Sequence, residues 1–257
     1  GRIMNSVSKV HENTREFLLS QPKDNRKKIG QFFTDEKTAI FMAKMFDFSN
    51  VYSKIRVLDP GAGTGILSAA FIEMAREENI KEIELVLVEN NKDVLILLEE
   101  NIKLFSTLSD IVVTVVLNKE NFIIEQSAAF SMNALTKYGR FDYVICNPPY
   151  LKIARSSKET IGMDSIISGA PNLYFLFMAL SAHDLVDGGE MVFIIPRSWT
   201  SGAYFKKFRE YIFEVAILNK VHLFTSRNKV FSIEKVLQET IIVKFTKGNK
   251  EKRQDVP

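Results

Sequence analysis

Strand-length runs of apolar residues alternate with helical patterns along most of this chain of 257 residues, and few folds accommodate that alternation. The runs are rich in Val, Ile and Leu with few polar interruptions, which is typical of strands covered on both faces. Strand–helix–strand alternation therefore predicts an α/β fold with a doubly wound, mostly parallel sheet. The five runs occupy residues 55–59, 84–89, 111–116, 141–147 and 190–196.

Helical patterns precede and separate these runs, and the end of the chain has a different character. Thr34 is expected to cap a helix over residues 35–47, with Asp35 and Glu36 suited to its first turn. Residues 215–224 and 239–245 are strand-like with turn-like residues between them, which predicts an antiparallel hairpin at one edge of the sheet. The other helical patterns occupy residues 8–20, 65–77, 92–105 and 172–186.

The composition excludes several classes of protein. With 46% hydrophobic and 25% charged residues the chain has the globular average, which excludes disordered, collagen-like and low-complexity proteins. No apolar run reaches the roughly 18 residues of a membrane helix. A single cysteine, Cys146, cannot form an internal disulfide and suits the cytoplasm. The three histidines show no metal-ligand spacing, so no metal is expected. Because the apolar runs are too short for a membrane helix, no membrane partner is expected either.

The net charge of +3 is too small to indicate a nucleic-acid partner without other support. Its distribution is uneven, because residues 151–257 hold 16 Lys and Arg against 11 Asp and Glu. A basic second half is compatible with phosphate contacts, and equally with an ordinary solvated surface.

A glycine-rich turn follows the first strand. Gly61 and Gly63 allow a tight turn and a close approach by a ligand, and Gly65 opens the next helix. Glu89 ends the second strand, where a carboxylate can accept hydrogen bonds from ribose hydroxyls. The pattern predicts a nucleotide-type cofactor, and Asp59 before the turn favours one with an ammonium group and no pyrophosphate. The alternative is a turn that serves only strand–helix packing.

The tetrapeptide Asn147-Pro148-Pro149-Tyr150 is the most specific feature of the chain. Two consecutive prolines cannot donate to a sheet ladder, so the strand must end there. The Asn147 side-chain oxygen and the Pro148 carbonyl then form two neighbouring acceptors beside an aromatic face, which fits a planar ring bearing an amino group. Two acceptors on its N–H bonds favour a pyramidal nitrogen whose lone pair can attack a methyl group. The alternative is a tight turn that only ends a core strand. We expect Cys146 to be a buried strand residue and not a catalytic thiol.

Together the glycine turn and this tetrapeptide resemble the S-adenosylmethionine-dependent DNA adenine-N6 methyltransferases in which the cofactor motif comes first, such as the Eco57I-like and TaqI-like restriction–modification methylases. The resemblance extends upstream to residues 30–34 and downstream to residues 226–231, and covers about residues 29–245. It implies a Rossmann-like class I methyltransferase fold with a seven-stranded sheet and S-adenosylmethionine as cofactor. It also implies a target adenine flipped out of double-stranded DNA.

The same resemblance implies roles for individual residues. Asn147 and Pro148 would hold the adenine amine, with Tyr150 and Phe231 against the two faces of the base. Contacts with the cofactor are implied for Gln31, Phe33, Thr34, Asp59, Pro60, Gly61, Ala62, Gly63, Glu89, Asn90, Asn121, Phe122, Asn147 and Pro149.

Two further features concern the cofactor ring and the DNA. Asn121 and Phe122 stand where the family usually has Asp-Phe, and the Asn121 amide oxygen is expected to accept from the cofactor adenine amine. Phe122 would flank the ring, or would simply be a core residue. Arg155 and Lys158 lie in the loop after Tyr150, where they would either face DNA or belong to a solvated loop.

Two other functions remain open at this point. A glutamine-N5 methyltransferase of the release-factor type uses the same chemistry, although residues 30–34 and Phe231 match the DNA family better. The other alternative is a cofactor-binding subunit that needs a specificity partner.

The motifs predict a helical extension over residues 1–28, a catalytic domain over residues 29–246 and a polar tail over residues 247–257. Too few residues follow Phe245 for the target-recognition domain that usually comes after this motif order. We therefore expect either a truncated chain or a separate polypeptide that chooses the DNA site.

Overall fold

The computed structural model describes residues 4–30, 33–49, 53–224 and 239–248, which form seven strands and eight α-helices. The strands are β1 (Lys54–Asp59), β2 (Glu82–Val88), β3 (Val112–Asn118), β4 (Phe141–Cys146), β5 (Leu185–Pro196), β6 (Ala216–Leu223) and β7 (Thr240–Lys247). The helices are α1 (Met4–Ser20), α2 (Lys23–Gly30), α3 (Glu36–Ala43), α4 (Ile66–Glu77), α5 (Lys92–Phe105), α6 (Ser127–Ser131), α7 (Leu173–Asp184) and α8 (Lys206–Val215). The strands form one sheet in the order β3-β2-β1-β4-β5-β7-β6, so the predicted seven-stranded sheet is confirmed.

The first compact unit contains the residues up to Glu120 together with Ile145–Asn147. Its β1 and β2 pair in parallel, as do β2 and β3, so these three strands end at the same edge. Helices α1 and α3 pack against α4, and α1 also packs against α5. The segments that follow β1 and β2 therefore meet at one edge of the sheet, which is where ligands bind in open α/β folds.

The second compact unit contains Asn121–Val144 and the residues from Pro148 onward. Here β7 pairs antiparallel with both β5 and β6, which confirms the predicted hairpin and places β7 between those two strands. Every residue of α7 from Tyr174 to Asp184 is buried. That burial explains why the α7 sequence has no polar face, since a helix covered all round needs none.

The predicted elements agree with the structure except at a few boundaries and in the short polar helices. The helix predicted over residues 172–186 ends at Asp184, and β5 begins five residues before the predicted run. No pattern predicts α2, which is strongly polar, or the five-residue α6. The same holds for α8, whose only buried residues are Phe208 and Ile212. None of the helices in the described parts of the chain is both long and apolar enough to span a membrane.

Candidate active site

The glycine turn joins the end of β1 to the start of α4. Gly63 and Gly65 have φ values of +55° and +89°, a left-handed conformation that glycine adopts without strain. A Cβ atom built on Gly65 would lie 3.2 Å from Cδ1 of Leu98, so the turn packs closely against α5. A Cβ atom on Gly63 would meet only the Gly61 carbonyl oxygen, at 4.0 Å, among the described residues. The Gly63 backbone is therefore open to a close approach by a ligand.

The carboxylate of Glu89 ties this turn to the end of β2. Its Oε1 accepts a hydrogen bond from the Gly63 backbone N–H at 2.8 Å, and its Oε2 accepts one from Asn91 at 3.0 Å. The Ala62 N–H donates to the Val88 carbonyl at 3.0 Å and adds a second link. Each carboxylate oxygen has two lone pairs, so these bonds are compatible with an additional contact to a ribose hydroxyl.

Asp59 ends β1 with a fully buried side chain. The Ser68 hydroxyl of α4 donates to its Oδ2 at 2.8 Å, whereas Oδ1 accepts no hydrogen bond from the described residues. Burial raises the pKa of Asp59 to about 7, and the negative charge of Glu89 adds to this shift. The Ser68 hydrogen bond and the nearby backbone N–H of Gly61 oppose it. A buried carboxyl group with one unsatisfied oxygen favours a ligand that brings a cationic donor. No sequence pattern singles out Ser68.

The side chain of Asn147, which directly follows β4, is held by Thr34. Nδ2 of Asn147 donates to Oγ1 of Thr34 at 2.9 Å. The prediction that Thr34 caps α3 is wrong, because the N-cap is Asp35, whose side chain accepts from the Thr38 backbone N–H at 2.8 Å. A carboxylate is the stronger acceptor at the positive end of a helix, so Asp35 takes this position and the Thr34 hydroxyl binds Asn147 instead.

Cys146 is a buried strand residue, as predicted. Burial, followed by the negative charge of Asp59, raises the pKa of the Cys146 thiol well above its ordinary value. A thiol that stays protonated is a poor nucleophile, which argues against covalent catalysis. Because β4 lies beside β1 in the sheet, Cys146 and Asp59 are the last residues of neighbouring strands.

Tyr150 belongs to the second unit. Its hydroxyl donates to the Ile194 carbonyl at 2.6 Å. The Tyr174 ring stands nearly perpendicular to it, at 87°, with the ring centroids 6.2 Å apart. Tyr174 is held in turn by a 2.9 Å hydrogen bond between its hydroxyl and Oγ of Ser198. The orientation of the Tyr150 ring is thus set by a hydrogen bond at its tip and by an edge-on aromatic contact.

Asn121 and Phe122 have structural partners within the second unit. Oδ1 of Asn121 accepts from two backbone N–H groups, both at 3.0 Å, and Nδ2 donates to Glu159 at 3.2 Å. A bond from that oxygen to an adenine amine would compete with one of these N–H groups, since a carbonyl oxygen has two lone pairs. Phe122 is buried, with its ring centroid 5.1 Å from that of Phe177. The cofactor contacts of both residues stay predictions.

The loop after Tyr150 carries several exposed cations. The guanidinium of Arg155 pairs with the Asp164 carboxylate, and Lys158 begins a short 3-10 turn. Nζ of Lys152 lies 5.9 Å from the centroid of the Tyr204 ring. The Asp164 carboxylate compensates the charge of Arg155. The DNA contacts of Arg155 and Lys158 stay predictions.

The remaining predicted site residues lie after α2, in the glycine turn, beyond β2 or outside the described residues. Gln31 and Phe231 lie outside the described residues, as do the other residues of the 226–231 motif. Phe33 donates its backbone N–H to the Gly30 carbonyl at 3.2 Å. Pro60 is buried in the glycine turn, and Asn90 is exposed beyond β2.

Asn101 is tied to the glycine turn although no motif includes it. Its side chain is fully buried, Nδ2 donates to the Thr64 carbonyl at 2.7 Å, and Oδ1 accepts from Nδ2 of Asn13 at 2.9 Å. A signal was present in the sequence, because Asn101 falls on the apolar face of α5 with Leu97 and Phe105. A polar side chain at such a position requires a hydrogen-bond partner.

Several known proteins are similar to this chain in sequence. A sequence profile of the Eco57I restriction-modification methylase family matches residues 74–231, and one of protein-L-isoaspartate(D-aspartate) O-methyltransferase matches residues 2–118. The type II methyltransferase M.BsuBI of Bacillus subtilis is 37% identical over 229 residues, which cover 87% of this chain and 45% of that protein. M.PstI of Providencia stuartii is 33% identical over 232 residues, which cover 89% of this chain and 45% of that protein. This chain therefore spans less than half the length of these relatives.

Two solved structures share the fold. One is a protein of Listeria monocytogenes assigned to the class I S-adenosylmethionine-dependent methyltransferases, with a TM-score of 0.66 and 15% identity over 88% of this chain and 62% of that one. The other is the methyltransferase subunit of a type I restriction-modification system from Streptococcus thermophilus, with a TM-score of 0.59 and 17% identity over 85% and 45%.

The sheet order and the glycine turn define the fold class, which the chain shares with solved structures of class I S-adenosylmethionine-dependent methyltransferases. Within this class, the chain belongs to the Eco57I restriction-modification methylase family, because the family profile matches more than half of it. The resemblance to restriction–modification methylases, inferred from the two motifs, is thereby confirmed.

Proposed function

We propose that the first unit binds S-adenosylmethionine at the glycine turn. The unsatisfied Oδ1 of buried Asp59 suits the ammonium group of this cofactor. The open space beside Gly63 allows the cofactor to lie close to the backbone of the turn. Glu89 would accept from the ribose hydroxyls. When bound, the cofactor supplies a methyl group on a sulfonium, which makes that methyl electrophilic.

The proposed acceptor is the N6 amine of an adenine in DNA. The observation that supports it most strongly is the 2.9 Å hydrogen bond from Nδ2 of Asn147 to Thr34. With Nδ2 donating to Thr34, the oxygen is the end of the amide that would accept from a substrate amino group. The Pro148 carbonyl would accept the second N–H of the same amine.

These two acceptors give the amine its nucleophilicity. The lone pair of an aromatic amine is delocalised into the ring, and pulling on both N–H bonds favours a pyramidal nitrogen with a localised lone pair. Tyr150 would stack on the base, and Phe231 would contact its other face. The proton left on the methylated nitrogen would pass to water, so no general base is required.

An adenine in a duplex has to leave the stack to reach such a site. Arg155 and Lys158 would then contact the phosphates beside the flipped nucleotide. We propose that the chain is the catalytic part of the modification methylase of a restriction–modification system in the cytoplasm. The recognition sequence would be selected by residues outside this chain or by a separate specificity polypeptide.

Transfer of a labelled methyl group tests this proposal. Purified protein would be incubated with labelled S-adenosylmethionine and unmethylated genomic DNA, with RNA and release factor in parallel. Mass spectrometry of the digested nucleosides is expected to show N6-methyladenine. Label in the release factor with none in DNA would overturn the proposal, and N4-methylcytosine would overturn the choice of base.

A further inference from the structure

The hydrogen bond between Thr34 and Asn147 connects residues that lie 113 positions apart in the first unit. We propose that Thr34 is a positioning residue that determines which end of the Asn147 amide faces the substrate amine. This inference rests on the proposed function, because it assigns Thr34 a part in the same reaction.

The physical reason lies in the shape of an asparagine side chain. Its oxygen and its NH₂ group are nearly equal in size, so a half-turn about the last side-chain bond exchanges an acceptor for a donor at almost no steric cost. A donor facing an amino group would repel the substrate and leave its N–H bonds unpaired. The catalytic set therefore requires something that distinguishes the two ends of the amide, and an acceptor beside Nδ2 does so.

Thr34 is well placed to be that acceptor. A β-branched side chain has few allowed rotamers, and the next residue, Asp35, is held by its capping bond to the Thr38 backbone. Among the described residues, the hydroxyl makes no hydrogen bond other than the one from Asn147. Its own proton thus remains for the cofactor, since the resemblance to the family implies a contact between Thr34 and the cofactor. One hydroxyl can accept from Asn147 and donate to the cofactor at the same time.

The test compares Thr34→Val, which keeps the shape and removes the hydroxyl, with Thr34→Ser, which keeps the hydroxyl. Single-turnover methyl transfer to DNA would be measured with the cofactor well above the dissociation constant of each variant, so that weaker cofactor binding is compensated. We expect Thr34→Val to be slower by about tenfold or more and Thr34→Ser to recover most of the rate. Thr114→Val, an exposed change on β3, is the matched control. Equal rates for Val and Ser, or a defect that disappears at saturating cofactor, would overturn the inference.

A second measurement reads the hydrogen bond without any methyl transfer. The side-chain NH₂ signals of Asn147 in an NMR spectrum can be assigned from their loss in Asn147→Asp. In Thr34→Val we expect these signals to shift and to exchange faster with water, and in Thr34→Ser we expect them to stay close to their original positions. Unchanged signals in Thr34→Val would contradict the positioning role. If the wild-type protein transferred no methyl group, the proposed function would fail, whereas these signals would still decide whether Thr34 orients the amide.

Discussion

Asn101 donates a 2.7 Å hydrogen bond from its side-chain amide to the backbone carbonyl of Thr64, and so holds the glycine turn from the side of α5. Asn13 of α1 donates to the same side chain, which extends the connection to the N-terminal helix. Helix α1 packs against α4 and α5 within the first unit. The boundary at residue 28 between a helical extension and the catalytic domain stays a prediction.

Asn101→Ala is expected to weaken cofactor binding. The substitution leaves the buried Thr64 carbonyl without its donor and opens a space beside the turn, so the free energy of unfolding should fall by about 1–3 kcal/mol. Cofactor affinity, measured by titration calorimetry, should fall about tenfold, and Asn13→Ala should have a smaller effect. Asn25→Ala, an exposed change on α2, is the control. Unchanged affinity in Asn101→Ala would contradict this role.

Asp59→Asn is expected to change the pH dependence of stability. Because the pKa of Asp59 is raised from 3.8 to about 7, the folded protein retains a proton that the unfolded chain has already lost between these pH values. The stabilising contribution of Asp59 is therefore present below about pH 4 and lost as the pH rises through 7. The free energy of unfolding of Asp59→Asn minus that of the wild type should thus increase over this range, on the order of a few kcal/mol, and level off above it.

Urea denaturation without cofactor, repeated at intervals from pH 4 to 8.5, measures this difference. Asp24→Asn serves as the control, because Asp24 is exposed on α2. A difference between Asp59→Asn and the wild type that does not vary with pH would show that the Asp59 carboxyl group titrates normally in the folded protein.

Asn147→Ala should separate chemistry from cofactor binding. Loss of the amide oxygen removes a proposed acceptor from the transferring amine, and we expect the transfer rate to fall by about 100-fold or more. The groups at the glycine turn are unchanged, so calorimetry should show cofactor affinity within about threefold of the wild type. Asn25→Ala should keep its transfer rate. A variant that had lost cofactor binding would indicate that Asn147 serves the cofactor first.

Tyr150→Phe and Tyr150→Ala should differ in their binding of the target base. The phenylalanine keeps the ring and loses the hydrogen bond to Ile194, which should cost about 1 kcal/mol of stability. The alanine loses the stacking surface, worth about 1–3 kcal/mol per base. The fluorescence of a duplex with 2-aminopurine at the target position would report flipping. If both variants flipped the target base equally poorly, binding of the base would depend on the hydroxyl and not on the ring.

Most of the fold could be predicted from the sequence because strands buried on both faces require nearly continuous apolar runs. All seven strands lie within a few residues of those runs, and the largest error is in β5, where Gly188 and Gly189 interrupt the pattern. The polar α2 was missed for the opposite reason, since its residues carry no apolar periodicity. In α8 the spacing of Phe208 and Ile212 was visible but too sparse among charged residues.

For the candidate site, the sequence predicts which polar groups lie at the strand ends. Prolines that cannot donate end β4 before Pro148, and glycines with positive φ shape the turn after Asp59. These are local properties of the chain, so they can be predicted from the order of residues. The hydrogen-bond partners of Asn147, Asp59 and Asn101 are not local. They depend on how α3, α4 and α5 pack in the first unit, because a buried polar group binds whichever complementary group that packing brings within about 3 Å of it.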